Sequence, residues 1–233
     1  MFDVIAFDAD DTLWHTEAMF NLTQEKFKQL LAGYRDGALI EQKLYETEMR
    51  NLHYFGYGIK GFTLAMIETA VELTAGQIRG RDIQQIIDFA REMRRFPVEL
   101  LEHVKQTVAL LAESYPLMLI TKGELIDQES KIARSGIAHC FRHVEVVSDK
   151  TQETYASVLA KRGIDIGRFL MIGNSLRSDI LPVVALGGQA VYIPYHTTWA
   201  HETVSDHENP GGYHELEHIG QLPALIEQLS RQT

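Results

Sequence analysis

Short β-rich runs alternating with helical stretches constrain this chain more than any other feature. The runs are Asp3–Phe7, Pro116–Ile120, His143–Val147, Phe169–Ile172 and Gln189–Ile193, each brief and apolar. Each of the last four follows a segment with helical spacing. Leu100, Leu101, Val104, Val108 and Leu111 form the first stripe, and further segments run over 124–135, 152–161 and 179–186. Alternating β and α units of this size predict an α/β fold, a doubly wound parallel sheet with helices on both faces.

The first run breaks the alternation. Between Asp11 and Pro97 no strand is expected, only helical periodicity. Phe20, Phe27, Leu30 and Leu31 share one face, followed by Leu44, Met49 and Leu52, then Phe62, Met66, Thr69 and Leu73, then Ile83, Ile86, Ile87 and Met93. Gly33, Gly37, Gly58, Gly76 and Gly80 read as stops and turns between them. The expectation is a core built from residues 1–13 and 97–233 with a helical cap inserted at 14–96.

Composition narrows the functions available. The 233 residues carry a formal net charge of −10 without a long run of lysine or arginine, which argues against a nucleic-acid polymer as partner. An anionic substrate then needs a metal or a few placed cations. Cys140 is the only cysteine, so neither an intrachain disulfide nor a multi-cysteine zinc site is available. The N-terminal run is acidic and too short for a secretory signal, and no stretch reaches the ~18 apolar residues of a membrane span. A cytoplasmic location, away from the membrane, is the expectation. His201, His207, His214 and His218 lie at irregular spacing around Asn209-Pro210-Gly211-Gly212, the pattern of a surface loop.

In an open parallel sheet, ligands sit beyond the carboxyl ends of the strands. Past the first run come Asp8, Asp10, Asp11 and Thr12; past the second, Thr121, Lys122 and Gly123; past the third, Ser148, Asp149 and Lys150; past the fourth, Gly173, Asn174 and Ser175, with Asp179 opening the next helix. Asp8 and Asp10, one residue apart, should repel each other unless a cation neutralises them. With Asp179 they make a hard oxygen set that favours magnesium over zinc. A metal and Lys150 can neutralise a bound phosphate, and a carboxylate can attack phosphorus. Asp11 reads as solvated or as a local cap. Trp14 and His15 open the insert, as hinge packing or substrate contacts. Lys122 competes with Lys150 for the phosphate, and Lys150 is favoured because it precedes the expected helix.

These residues resemble the haloacid dehalogenase superfamily, in its phosphatase branch with a helical cap after the first motif. Asp8-Ala9-Asp10-Asp11-Thr12 matches the first motif, and Leu119-Ile120-Thr121 the second. Lys150 matches the third, and Gly173-Asn174-Ser175-Leu176-Arg177-Ser178-Asp179 the fourth. The resemblance implies a Rossmann-like core and hydrolysis of a small phosphate monoester through an aspartyl-phosphate. Asp8 would be the nucleophile and Asp10 the acid and base. Thr121 and Lys150, with Lys122 beside them, would hold phosphoryl oxygens. Asp8, the Asp10 carbonyl, Asp179 and Asn174 would hold Mg2+. Family dehalogenases lack an acid at the Asp10 position. Two positions depart from the pattern: Asn174 stands where an Asp is frequent, and Thr151 where a Pro often follows the lysine. A phosphomutase of the same superfamily shares the Asp8 and Asp10 pattern. A phospho-accepting signalling or ligand-binding module also gathers acids, Thr and Lys at strand ends, but at about half this length.

Overall fold

A computed structural model describes residues 2–197, 199–204 and 211–231. The chain divides into two compact units, Met1–Glu17 with Val98–Thr233, and Ala18–Pro97.

The first unit is a six-stranded parallel sheet. Its strands are β1 (Val4–Phe7), β2 (Leu117–Lys122), β3 (Phe141–Val147), β4 (Phe169–Gly173), β5 (Gln189–Tyr192) and β6 (His214–Glu215), in the order β3-β2-β1-β4-β5-β6. Side chains alternate between the two faces, as the two-residue strand period requires. Ile5, Phe7, Leu117, Leu119, Leu170 and Ile172 enter one core; Val4, Ala6, Met118, Ile120, Phe169 and Met171 enter another. Burial on both faces explains why these strands read as continuous apolar runs. Fully burying each of these larger side chains, Ala6 aside, contributes about 1.5–3 kcal/mol.

Helices α1 (Glu17–Leu31), α2 (Gly37–Phe55), α3 (Ile59–Leu73) and α4 (Gly80–Arg95) make up the second unit, apart from Glu17 itself. Helices α5 (Val104–Ala112), α6 (Leu125–Arg134), α7 (Gln152–Arg162), α8 (Leu181–Ala185) and α9 (Leu222–Arg231) flank the sheet. The first core takes Val104 and Val108 of α5, Ile132 of α6 and Ile226 of α9, while the second takes Val158 and Leu159 of α7 and Val183 of α8. Among the described residues no helix is long and apolar enough to cross a membrane.

Several local expectations change. The stripe from Leu100 does not begin a helix: Leu101 N–H donates to the Leu13 carbonyl at 3.0 Å and His15 N–H to the Glu99 carbonyl at 3.0 Å, so 13–15 and 99–101 run side by side as extended chain. Trp14 and His15 therefore belong to the sheet-bearing unit, with the unit boundary after Glu17. The segment from Asp179 starts inside a π-helical turn, Leu176–Ile180, that leads into α8. Gly37 and Gly80 start helices instead of ending them, and Asp36 caps α2 by accepting from Leu39 N–H at 3.1 Å.

The second unit packs around its own apolar residues. Phe27, Leu31, Ile40, Leu44, Phe62, Met66, Ile86 and Met93 from all four helices form one buried cluster.

Candidate active site

The switch point of the sheet lies beside β1, where successive strands diverge to either side. Asp8 is the first residue beyond β1, and its N–H donates to the Ile172 carbonyl of β4 at 2.9 Å, which fixes its register. The chain then curls tightly: Leu13 N–H reaches the Ala9 carbonyl at 2.8 Å, and Asp11 takes a left-handed φ of 61°. The curl returns Thr12 to Asp8, where its hydroxyl donates to Oδ2 at 3.0 Å. The four-residue spacing of Asp8 and Thr12 is thus the span of one tight turn.

Lys150, beyond the end of β3, donates through Nζ to Asp8 Oδ1 and to Asp179 Oδ1, the latter at 2.7 Å. All three side chains are buried. Burial alone would lower the Lys150 pKa, but the Asp179 and Asp8 carboxylates outweigh it and hold the ammonium charged. Burial raises Asp179 against the pull of Lys150, and the Asp8 charge adds to the rise. The backbone makes room for this packing: a Cβ on Gly173 would lie 2.2 Å from Asp179 Oδ2. That oxygen accepts from Ser175 N–H at 3.0 Å.

Two buried carboxylates face one ammonium, leaving a formal charge of −1 that burial penalises. The Asn174 amide lies 3.2 Å from Asp8 Oδ2, 3.1 Å from the Asp10 carbonyl oxygen and 2.9 Å from Thr12 Oγ1. With its nitrogen toward them, its two N–H groups face three acceptors. With its oxygen toward them it accepts from Thr12 Oγ1 and faces the Asp8 and Asp10 oxygens, a contact that a cation would relieve. The donors present are therefore hard oxygens of the kind Mg2+ takes: two carboxylates, a carbonyl and an amide. Among the described residues no three His, Cys, Asp or Glu side chains converge as a metal cluster.

The reason is Asp10. Its carboxylate was expected to crowd Asp8; instead Lys131 neutralises it, with Nζ 2.7 Å from both oxygens. Trp14 Nε1 and Thr16 Oγ1 donate to Oδ1 at 2.8 and 2.7 Å, and Gln128 Nε2 to Oδ2 at 2.8 Å. Burial would raise the Asp10 pKa, but Lys131 and the other donors bring it down to about 2. Trp14 is buried in the sheet's first core and serves as a donor to Asp10. His15 Nδ1 is 2.7 Å from the Tyr195 hydroxyl. Asp11 is not solvated. It is buried and accepts from Thr16 N–H at 2.8 Å and from Glu17 N–H at 3.0 Å, at the start of α1. Burial outweighs these donors and pushes its pKa to about 7.

Thr121, one residue from the end of β2, is fully enclosed, and its hydroxyl accepts from Gln128 Nε2 at 3.0 Å. Lys122 points elsewhere, to Ser178 Oγ at 3.0 Å and to the Glu202 carboxylate. Only Lys150, of the two rival lysines, is bonded to Asp8. The sequence reading missed Gln128, Lys131 and Glu202. Gln128 and Lys131 lie three residues apart on α6, so they share a helix face; a search for polar residues at helical spacing would have found them. Glu202 carried no local signal. His207, Asn209 and Pro210 lie outside the described residues. His218 stacks on His103 with ring centroids 4.7 Å apart.

The structure places a buried carboxylate at the switch point of a parallel α/β sheet, with a lysine bridging two acids. The family model described as haloacid dehalogenase-like hydrolase matches residues 2–187, and the chain belongs to that family. A haloacid dehalogenase-like family hydrolase from Xanthomonas campestris is 42% identical, with a TM-score of 0.88 over 100% of this chain and 95% of that one. The HAD-hydrolase YfnB of Bacillus subtilis, solved bound to magnesium, is 15% identical with a TM-score of 0.71, over 97% of this chain and 99% of its own. L-2-haloacid dehalogenase from Xanthobacter autotrophicus is 16% identical with a TM-score of 0.68, over 97% and 99%. These last two likenesses speak for the fold alone. No curated protein matches the chain at a significant level.

Proposed function

We propose that this hydrolase is a magnesium-dependent phosphatase acting on a small phosphate monoester. The observation that carries the reading is Asp10: an ionisable carboxylate two residues beyond Asp8, on the same curl and anchored by Lys131. Displacing halide from carbon needs no proton for the leaving group. An alkoxide leaving phosphorus does.

In this reading Asp8 attacks phosphorus, the bond from phosphorus to the leaving oxygen breaks, and that oxygen takes up a proton that Lys131 passes through the Asp10 carboxylate. Water then attacks the aspartyl-phosphate, and Asp10 takes its proton. Held at a pKa of about 2, Asp10 is ready for this second, basic step. For the first, Lys131 is the proton-bearing group in contact with both of its oxygens. Lys150 and Thr121 meet the phosphoryl oxygens as cation and hydrogen-bond donor. Asp8, Asp179, the Asp10 carbonyl and Asn174 are the groups suited to hold Mg2+, which when bound neutralises charge on the phosphoryl group.

The test offers a panel of phosphate monoesters and a panel of 2-haloacids, each with and without magnesium, and measures phosphate and halide release. Magnesium-dependent phosphate release is the expected result. Halide release without phosphate release overturns the assignment.

A further inference from the structure

A second anion cradle adjoins the residues assigned above, one position along the chain from each. Lys122 follows Thr121, Ser175 follows Asn174, and Ser178 precedes Asp179. The Lys122 ammonium and the Ser175 hydroxyl both donate to the Glu202 carboxylate, and Ser178 Oγ donates to Glu202 Oε2 at 2.7 Å. Ser178 N–H donates to Ser175 Oγ at 3.0 Å, which orients that hydroxyl, and Lys122 Nζ also reaches Ser178 Oγ at 3.0 Å. The cradle thus joins the end of β2 to the turn after β4, the two strands that flank β1. Its occupant comes from a separate turn, Ala200–Glu202, where Arg177 Nη1 donates to the His201 carbonyl at 2.7 Å.

We propose that Lys122, Ser175 and Ser178 form a subsite for a second anionic group of the substrate, which Glu202 fills until that group displaces it. The inference rests on the phosphatase reading and narrows its substrate class to phosphate esters whose leaving group carries a carboxylate or a further phosphate. Three arguments support it. One ammonium and two hydroxyls converging on a carboxylate suit any oxyanion, because the donors recognise charge and oxygen geometry and not a particular side chain. Replacing Glu202 by a ligand carboxylate leaves the charge of the cradle unchanged, and a phosphate adds to it, so in either case no ammonium is stranded without a partner. Each cradle residue is next in sequence to one of Thr121, Asn174 and Asp179, and a leaving group long enough to reach both anion sites gains from high effective concentration at the second.

The test measures calorimetric binding of propane-1,3-bisphosphonate and of propylphosphonate, in the presence of magnesium, to the full chain and to Glu202→Gln, Lys122→Met and Ser178→Ala. Neither ligand has a hydrolysable ester bond, so the result does not depend on turnover. The preference for the bisphosphonate should rise roughly tenfold in Glu202→Gln, the change expected from removing one charged competitor. It should vanish in Lys122→Met and fall in Ser178→Ala, which serves if the lysine variant does not fold. An unchanged preference in Glu202→Gln, or one that survives in both cradle variants, overturns the subsite. A chain that shows the preference yet releases phosphate from no ester keeps the subsite and loses the phosphatase assignment. One that hydrolyses esters without the preference loses only the subsite.

Discussion

The two units bury different things. In the sheet-bearing unit Asp8, Asp11, Asp127, Lys150 and Asp179 are all buried. In the helical unit the buried polar residues, among those described, are Thr23, Thr47, Asn51, Thr69, Thr74 and Asp82. Asp82 stands in the first turn of α4, where N–H groups favour a carboxylate, and accepts from Arg79 Nε at 2.8 Å. Other charges of the helical unit pair at its surface, such as Arg50 with Glu68 and Glu72, each at 2.8 Å. Buried charge is costly and exposed pairs contribute little. The sheet unit therefore carries electrostatic strain at the place where chemistry is proposed, while the helical unit is stabilised by ordinary apolar packing.

The sharpest way to break this contrast is to replace Asp8 with Asn. Activity should fall by roughly 10⁴–10⁶, the scale of losing a nucleophile, with no aspartyl-phosphate detectable by intact mass. Thermal stability should hold, because Lys150 keeps Asp179. Turnover near the original rate would show that the buried charge serves another purpose.

Replacing Asp10 with Asn should cost about 10²–10⁴. The loss should be severe for esters with poor leaving groups and milder for p-nitrophenyl phosphate, with phosphate accumulating on Asp8. A leaving-group series that shifts uniformly, without adduct, would assign the proton transfers elsewhere.

Lys150→Met strands two buried carboxylates and should lower the unfolding free energy by about 3–5 kcal/mol in chelated buffer. Added magnesium should restore part of it. Arg50→Met, in the helical unit, should change nothing measurable. Equal losses from the two substitutions, followed by urea titration, would erase the distinction between the units.

A smaller effect is expected from pH. Lys122 and the two serine hydroxyls outweigh burial and depress Glu202 from 4.5 to about 2. A depressed carboxylate stabilises the fold above its unfolded pKa, and that stability drains away as pH falls through the folded value. At neutral pH it amounts to about 3 kcal/mol. Between about pH 5 and 2 the original chain should lose stability more steeply than Glu202→Gln. Parallel curves would mean that Glu202 is not held as described.

How much of this the sequence discloses depends on whether the signal is local. β1, β2, β4 and β5 were legible because burial on both faces makes them unbroken apolar runs. β6 was not, since His214–Glu215 is two residues with no apolar pattern. α9 also escaped, although Leu222 and Ile226 lie one turn apart. Asp8, Thr12, Lys150 and Asp179 stood out because each follows a strand within a few residues. Glu202 reaches Lys122 across 80 residues, and Lys131 reaches Asp10 across 121; side-chain pairings of that kind leave no trace in periodicity. The pairing of 13–15 with 99–101 likewise hid behind a stripe that suited a helix.

The position of β1 has a consequence for synthesis. It pairs with β2 and β4, which begin at Leu117 and Phe169. At about 5–20 residues per second, on the order of 5–20 s passes between completion of β1 and the appearance of its first partner strand. Meanwhile the helical unit, whose buried cluster runs from Met19 to Met93, is made in full. Val4, Ile5, Ala6 and Phe7 leave the ribosome well before either partner strand, an apolar segment exposed while the chain grows. Asp8 meets Lys150 and Asp179 only after roughly three quarters of the chain exists, so a stalled or truncated product would carry folded helices and no assembled site.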